Sequence, residues 1–158
     1  MICGIDPGAN GGIAFLDKGK VVDLFIMPVS DGELDLSKLR KILSDPRPKH
    51  VYLEHVHAIY GCGAGSTFKF GRIFGKTEAT VGVLGIPYTL VYPKKWQSLC
   101  HGGLDRKMSA KERSLIAASN IFPGTDFRKS TRARKPHDGL VDAALIAYYG
   151  YENEKTKA

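Results

Sequence analysis

Four acidic residues occupy positions where a lone carboxylate is costly, and together they could hold a hard cation. Asp6 closes the apolar run 1–5 and precedes Pro7-Gly8, so it stands at a strand end. Glu54 lies within Val51-Tyr52-Leu53-Glu54-His55-Val56, where strand alternation sets it on one face with Tyr52 and Val56. A carboxylate inside a strand opposes folding unless it is paired or metal-bound. Asp138 and Asp142 are four apart, so a helix presents both on one face, where like charges repel by roughly 0.2–0.5 kcal/mol. Their neighbours Leu140-Val141 and the run 143–147 are apolar enough to bury that helix, and no basic residue on it offsets the charge. A bound cation would.

Clustered hard oxygen ligands suit Mg²⁺, with Mn²⁺ as its substitute. Two such ions about 4 Å apart can cleave a phosphodiester, one activating water and the other stabilising the leaving 3′ oxygen. The charge distribution points to the same substrate class. Eleven basic and three acidic residues fall between Lys94 and Lys135, so this part of the chain carries the whole positive excess of a protein with net charge +7. A polyanionic partner is expected there, with Lys94, Lys95, Arg106, Lys107, Arg128, Lys129, Arg132, Arg134 and Lys135 as its contacts.

The elements that must position these groups follow from periodicity. Apolar runs at 1–5, 13–16 and 21–27, separated by turn formers, read as a β-meander. Residues 34–43 carry leucines at helical spacing behind a capping Asp35, ended by Pro46 and Pro48. A fourth strand spans 50–56 and leads into a Gly-rich loop. Ser66 or Thr67 could cap a helix running to about Leu84, and Gly85-Ile86-Pro87 stops it before a fifth strand at 88–92. A short helix at 94–99 follows. Ser109 with Glu112 forms a capping-box pattern for a helix to 121, and a basic loop at 123–136 precedes an Ala-rich helix at 137–149. The order β-β-β-α-β-α-β-α-α predicts an α/β fold with a mixed five-stranded sheet, antiparallel in its first part, flanked by helices.

The chain of 158 residues suits one domain, assigned to 1–150, with 151–158 as a flexible C-terminal tail. No apolar run reaches the ~20 residues a membrane helix needs, and MICGIDPG lacks signal-peptide features, so no membrane association and a cytoplasmic location are expected. Cys3, Cys62 and Cys100 form no metal-knuckle spacing and read as ordinary thiols.

Three acidic motifs in order carry a family resemblance. GIDPG at 4–8, LEHV at 53–56 and KPHDGLVDAALIA at 135–147 resemble the RuvC-like Holliday junction resolvases, most closely the phage-type and plant organellar branch. The segments STFKFGRIFG and GIPYTLVYPKKWQ also look alike, so the resemblance spans nearly the whole chain. It implies a ribonuclease H-like fold, a homodimer, and Mg²⁺-dependent paired nicking of four-way and other branched DNA, with 5′-phosphate and 3′-hydroxyl ends. It carries catalytic roles to Asp6, Glu54, Asp138 and Asp142, and places Lys111 near the scissile phosphate. One departure stands: the last two acids are four apart here and three apart in bacterial resolvases.

Resolvases of this kind insert a side chain at the junction centre. His57, Tyr60 and Phe68 are the candidates, with core packing the alternative for Phe68. Trp96 is expected to anchor the core. Gly71, Gly75 and Ala79 form a small-residue ridge that fits either a dimer seam or helix-on-sheet packing. Competing functions are a non-catalytic branched-DNA binder and a ribonuclease H acting on hybrids. An actin-like phosphotransferase shares a GIDPG-like start but needs a second domain and a nucleotide, for which the chain has no room.

Overall fold

The structure is a computed structural model that describes residues 1–55, 57, 61 and 63–157. Three strands, β1 (Ile2–Asp6), β2 (Gly12–Asp17) and β3 (Lys20–Ile26), form the expected antiparallel meander. A small hairpin of β4 (Val29–Ser30) and β5 (Glu33–Leu34), not foreseen from sequence, leads into α1 (Leu36–Ser44). Asp35 caps α1 as expected, its side chain accepting from the Lys38 N–H at 2.9 Å. Then follow β6 (His50–Glu54), α2 (Ala64–Val83), β7 (Tyr88–Val91), α3 (Pro93–Cys100), α4 (Ala110–Ile121) and α5 (Asp138–Lys157).

The sheet order is β3-β2-β1-β6-β7, with β6 parallel to both β1 and β7. This is the mixed five-stranded sheet read from the alternation of strands and helices. Its two faces bury separate cores. Ile5, Ile13, Phe15, Val51 and Leu53 pack under α1 and α2 with Leu39, Leu43, Ile73 and Val81. Ala14, Leu16 and Tyr52 pack on the opposite face with Trp96, Ala143, Leu145 and Ala147 from α3 and α5.

Two glycines let α5 lie directly on the sheet. A Cβ at Gly4 would collide with the backbone of Ala143 and Ala147, and one at Gly139 would collide with Asn10 and Gly11. Only a residue without a side chain permits such approach. Gly4 is two residues before Asp6 and Gly139 directly follows Asp138, so this contact also sets the distance between the two acidic motifs.

Two boundaries differ from expectation. Helix α2 begins at Ala64 with Gly63 as N-cap and no side-chain cap, so Ser66 and Thr67 lie inside the helix. Helix α5 runs to Lys157 in place of the tail expected at 151–158. Polar composition suggested fraying, yet this end is held by packing: Tyr151 lies against Gly19, and the Tyr52 hydroxyl donates to Glu154 Oε1 at 3.1 Å. No helix of the described residues is long and apolar enough to cross a membrane.

Candidate active site

Parallel pairing places Ile5 opposite Leu53, so Asp6 and Glu54 leave the ends of adjacent strands side by side. Both share the face that carries Gly4 and Tyr52, the face covered by α5. The first turns of α5 bring Asp138 and Asp142 to the same end. Glu54 thus lies within reach of the charges of Asp6 and Asp142, and Asp142 within reach of those of Asp6 and Asp138.

Their environments differ. Asp6 is partly buried, and its Oδ1 accepts from the Gly8 N–H at 3.1 Å. Burial raises its pKa, and the Gly8 bond opposes that rise. Burial also pushes Glu54 up, reinforced by the charges of Asp6 and Asp142, to about 7, against the opposing hydrogen bond from Trp96. Asp142 is raised to about 6, first by burial and then by Asp6 and Asp138, while a hydrogen bond from Ser114 and the charge of Lys111 pull it down. Asp138 is exposed and ion-paired with Lys111. That pair is solvent-exposed on both sides, so it contributes little and is easily exchanged for another partner.

The donor chemistry fits a hard divalent cation: three carboxylates disfavour one another's charge, and a cation among them would remove that penalty. Among the described residues, no three acidic, His or Cys side chains converge closely enough to enclose an ion as they stand. Asp6, Glu54 and Asp142, joined by Asp138 once released from Lys111, are the residues that could hold one.

The basic segment flanks this site. The His137 N–H donates to the Phe127 carbonyl at 2.8 Å, closing residues 128–136 into a loop beside the head of α5. Lys129, Arg132, Arg134 and Lys135 are exposed on it. Arg128 is instead gripped by Asp126 through Nε at 2.9 Å and Nη2 at 2.7 Å. Lys94, Lys95, Arg106 and Lys107 are exposed on α3 and the α3–α4 loop.

His57 is exposed, its ring 6.5 Å from that of Tyr92. Phe68 is 66% exposed, with the Arg72 guanidinium over its ring, so the core-packing alternative is excluded. Tyr60 lies outside the described residues. Gly71, Gly75 and Ala79 are exposed, and a Cβ on either glycine would meet nothing within 4 Å, which removes helix-on-sheet packing as the reason for the ridge.

Sequence reading missed the groups that serve the acids. Trp96 is the expected core anchor, but its Nε1 also donates to Glu54 Oε1 at 2.9 Å. Ser114, buried on α4, serves Asp142 and sits 3.1 Å from His101 Nε2. Tyr92, 53% exposed, stacks on His55 at 4.6 Å beside Glu54. Only Trp96 carried a signal, as a lone tryptophan beside Lys94-Lys95; nothing in the local sequence marks Ser114.

The same fold, a mixed five-stranded sheet with flanking helices, is found in solved structures of RuvC and of a mitochondrial Holliday junction resolvase. The chain superposes on Thermus thermophilus RuvC in complex with a Holliday junction substrate with TM-score 0.70 and 19% identity, covering 99% of this chain and 95% of that one. A second Thermus thermophilus RuvC structure gives TM-score 0.67 at 19% identity, over 99% and 96% of the two chains. The yeast mitochondrial Holliday junction resolvase Ydc2 gives TM-score 0.54 at 16% identity, over 99% and 83%. No family model matches the chain, and no curated protein matches it by sequence.

Proposed function

We propose that the protein is a structure-selective endodeoxyribonuclease that resolves four-way and other branched DNA by metal-dependent paired nicking, leaving 5′-phosphate and 3′-hydroxyl ends. The observation that carries this reading is the meeting of Asp6, Glu54 and Asp142 at one end of the fold, mutually disfavouring their charges, beside an exposed basic loop. The RuvC-type fold supports it, since one neighbour was captured with a Holliday junction.

Mg²⁺ or Mn²⁺ is the proposed cofactor, held by Asp6, Glu54, Asp138 and Asp142. Bound ions would supply an activated water and a charge partner for the leaving oxygen. The remaining work belongs to the chain. Trp96 fixes Oε1 of Glu54, leaving Oε2 free to bind or to hold a proton near neutral pH. Lys111 exchanges Asp138 for the scissile phosphate. The loop 128–136 and the lysines of α3 hold the DNA backbone, which supplies most of the affinity. His57 and Phe68 stand to reach the junction centre.

Paired nicking calls for two sites related by the junction's own two-fold symmetry. The exposed α2 ridge of Gly71, Gly75 and Ala79 is the proposed seam of a homodimer.

The test is incubation of the purified protein with a synthetic four-way junction and Mg²⁺, read on a denaturing gel. Two symmetric, ligatable nicks are expected, with Asp142→Asn abolishing them and retaining junction binding. Binding without metal-dependent cleavage by the unaltered protein would leave a branched-DNA binder. Preferential cutting of an RNA–DNA hybrid would make it a ribonuclease H.

A further inference from the structure

Behind the acidic cluster, between α3 and the head of α4, lies a second polar feature. A pocket of about 250 Å³ is lined by Lys94, His101, Arg106 and Arg113 together with Gln97 and Ser98, and among the described residues by no carboxylate. Three cations converging without an acid is an arrangement that repels itself. Among the described residues, two buried nitrogens on its walls also find no partner: Nε of Arg113 and Nδ1 of His101, the latter on a side chain only 6% exposed. A guanidinium Nε–H is a donor at every accessible pH, and burying a donor without an acceptor opposes folding. The chemistry of this lining suits an anionic acceptor.

We propose that this pocket binds one backbone phosphate of the DNA, at a site separate from the four carboxylates. The inference rests on the nuclease reading above for the identity of the phosphate, and on the pocket alone for the binding of an anion. Arg113 would donate from Nε, Lys94 and Arg106 would close from the rim, and His101 Nδ1 would pair with the phosphate directly as imidazolium or through a water when neutral. Two short paths join the pocket to the acids. The Trp96 ring packs edge-on against His101 at 5.6 Å and donates to Glu54, and His101 Nε2 meets the Ser114 hydroxyl that serves Asp142. A phosphate seated here would register the strand against the cutting site through side chains already fixed to it.

Inorganic phosphate is the first probe, titrated into the full chain without DNA or metal. The Arg113 Nε–H and His101 ring resonances should move along one saturable curve. Arg113→Gln, followed at His101, should weaken that binding by roughly tenfold or more, the loss expected of one hydrogen bond to a charged group. The exposed pair Lys94→Gln and Arg106→Gln should weaken it too, which covers the case in which the Arg113 variant does not fold. A linear, non-saturating drift, or saturation that survives these changes, overturns the pocket. The second probe is the junction: Arg113→Gln, or the double variant, should reduce the slope of log K against log salt by about 0.9 per lost phosphate contact. A saturable phosphate response with an unchanged slope overturns the DNA assignment, leaving a site for free phosphate. Because the first measurement uses no DNA, its failure with cleavage intact removes only the pocket. Its success without cleavage removes only the nuclease.

Discussion

The indole Nε1 of Trp96 donates a 2.9 Å hydrogen bond to Oε1 of Glu54. This joins the largest fully buried side chain of the core to a carboxylate whose pKa is raised to about 7. The bond favours the ionised acid, so Trp96→Phe should raise the Glu54 pKa further. A hydrogen bond to a charged group contributes about 1.5–3 kcal/mol, so the acid limb of the cleavage profile should move up by about one to two pH units. A cleavage rate measured against pH checks this; a limb that stays in place would mean Glu54 does not control it.

Glu54 and Asp142 both make stability depend on pH. Their folded pKa values lie above the ordinary carboxylate range, so the folded chain holds protons that the unfolded chain releases. For such groups the stabilising contribution is complete below the unfolded value and is lost as pH rises through about 7 for Glu54 and about 6 for Asp142. Glu54→Gln should therefore be more stable than the unaltered protein at pH 8 with chelator present, by roughly 3–4 kcal/mol at 1.36 kcal/mol per pKa unit. The two should converge near pH 5. Urea unfolding at both pH values checks this, and parallel stability curves would contradict it.

The basic loop should divide into two classes. Lys129, Arg132, Arg134 and Lys135 are exposed and have no ion pair among the described residues. Each replaced by Ala should reduce the salt slope of junction binding by about 0.9 if it contacts a phosphate. Arg128 is occupied by Asp126, whose pKa it holds down to about 2. Arg128→Ala should change the slope less than any of the four, and a larger change would show that the pair opens on binding.

The α2 seam can be broken without touching the core. Ala79 is exposed on the ridge, so Ala79→Arg should alter monomer stability by no more than about 0.5 kcal/mol. It should convert a sedimenting dimer to monomer and turn paired cuts into single nicks. A variant that stays dimeric and cuts in pairs would move the interface elsewhere.

Local patterns in the sequence determined much of this protein. Alternation and helical spacing are properties of neighbouring residues, so the five strands of the mixed sheet, the Asp35 cap and the Ser109–Glu112 capping box were legible directly, whereas the two-residue strands β4 and β5 were too short to carry a pattern. Asp6, Glu54 and Asp142 were legible for the same reason, because each sits in an apolar context that makes an isolated charge costly, and Asp138 through its helical spacing to Asp142. Tertiary structure alone decided what serves them. The Trp96 bond to Glu54 spans 42 residues, and Ser114 reaches Asp142 only because α4 packs on α5. The same holds for the end of α5, where polar residues with no local reason to stay helical are held by Gly19 and by Tyr52. Sequence spacing reports which side chains share a face of one element. Which faces meet is set by close approach between elements, here by Gly4 against Ala143 and Ala147, and that contact placed the acids together.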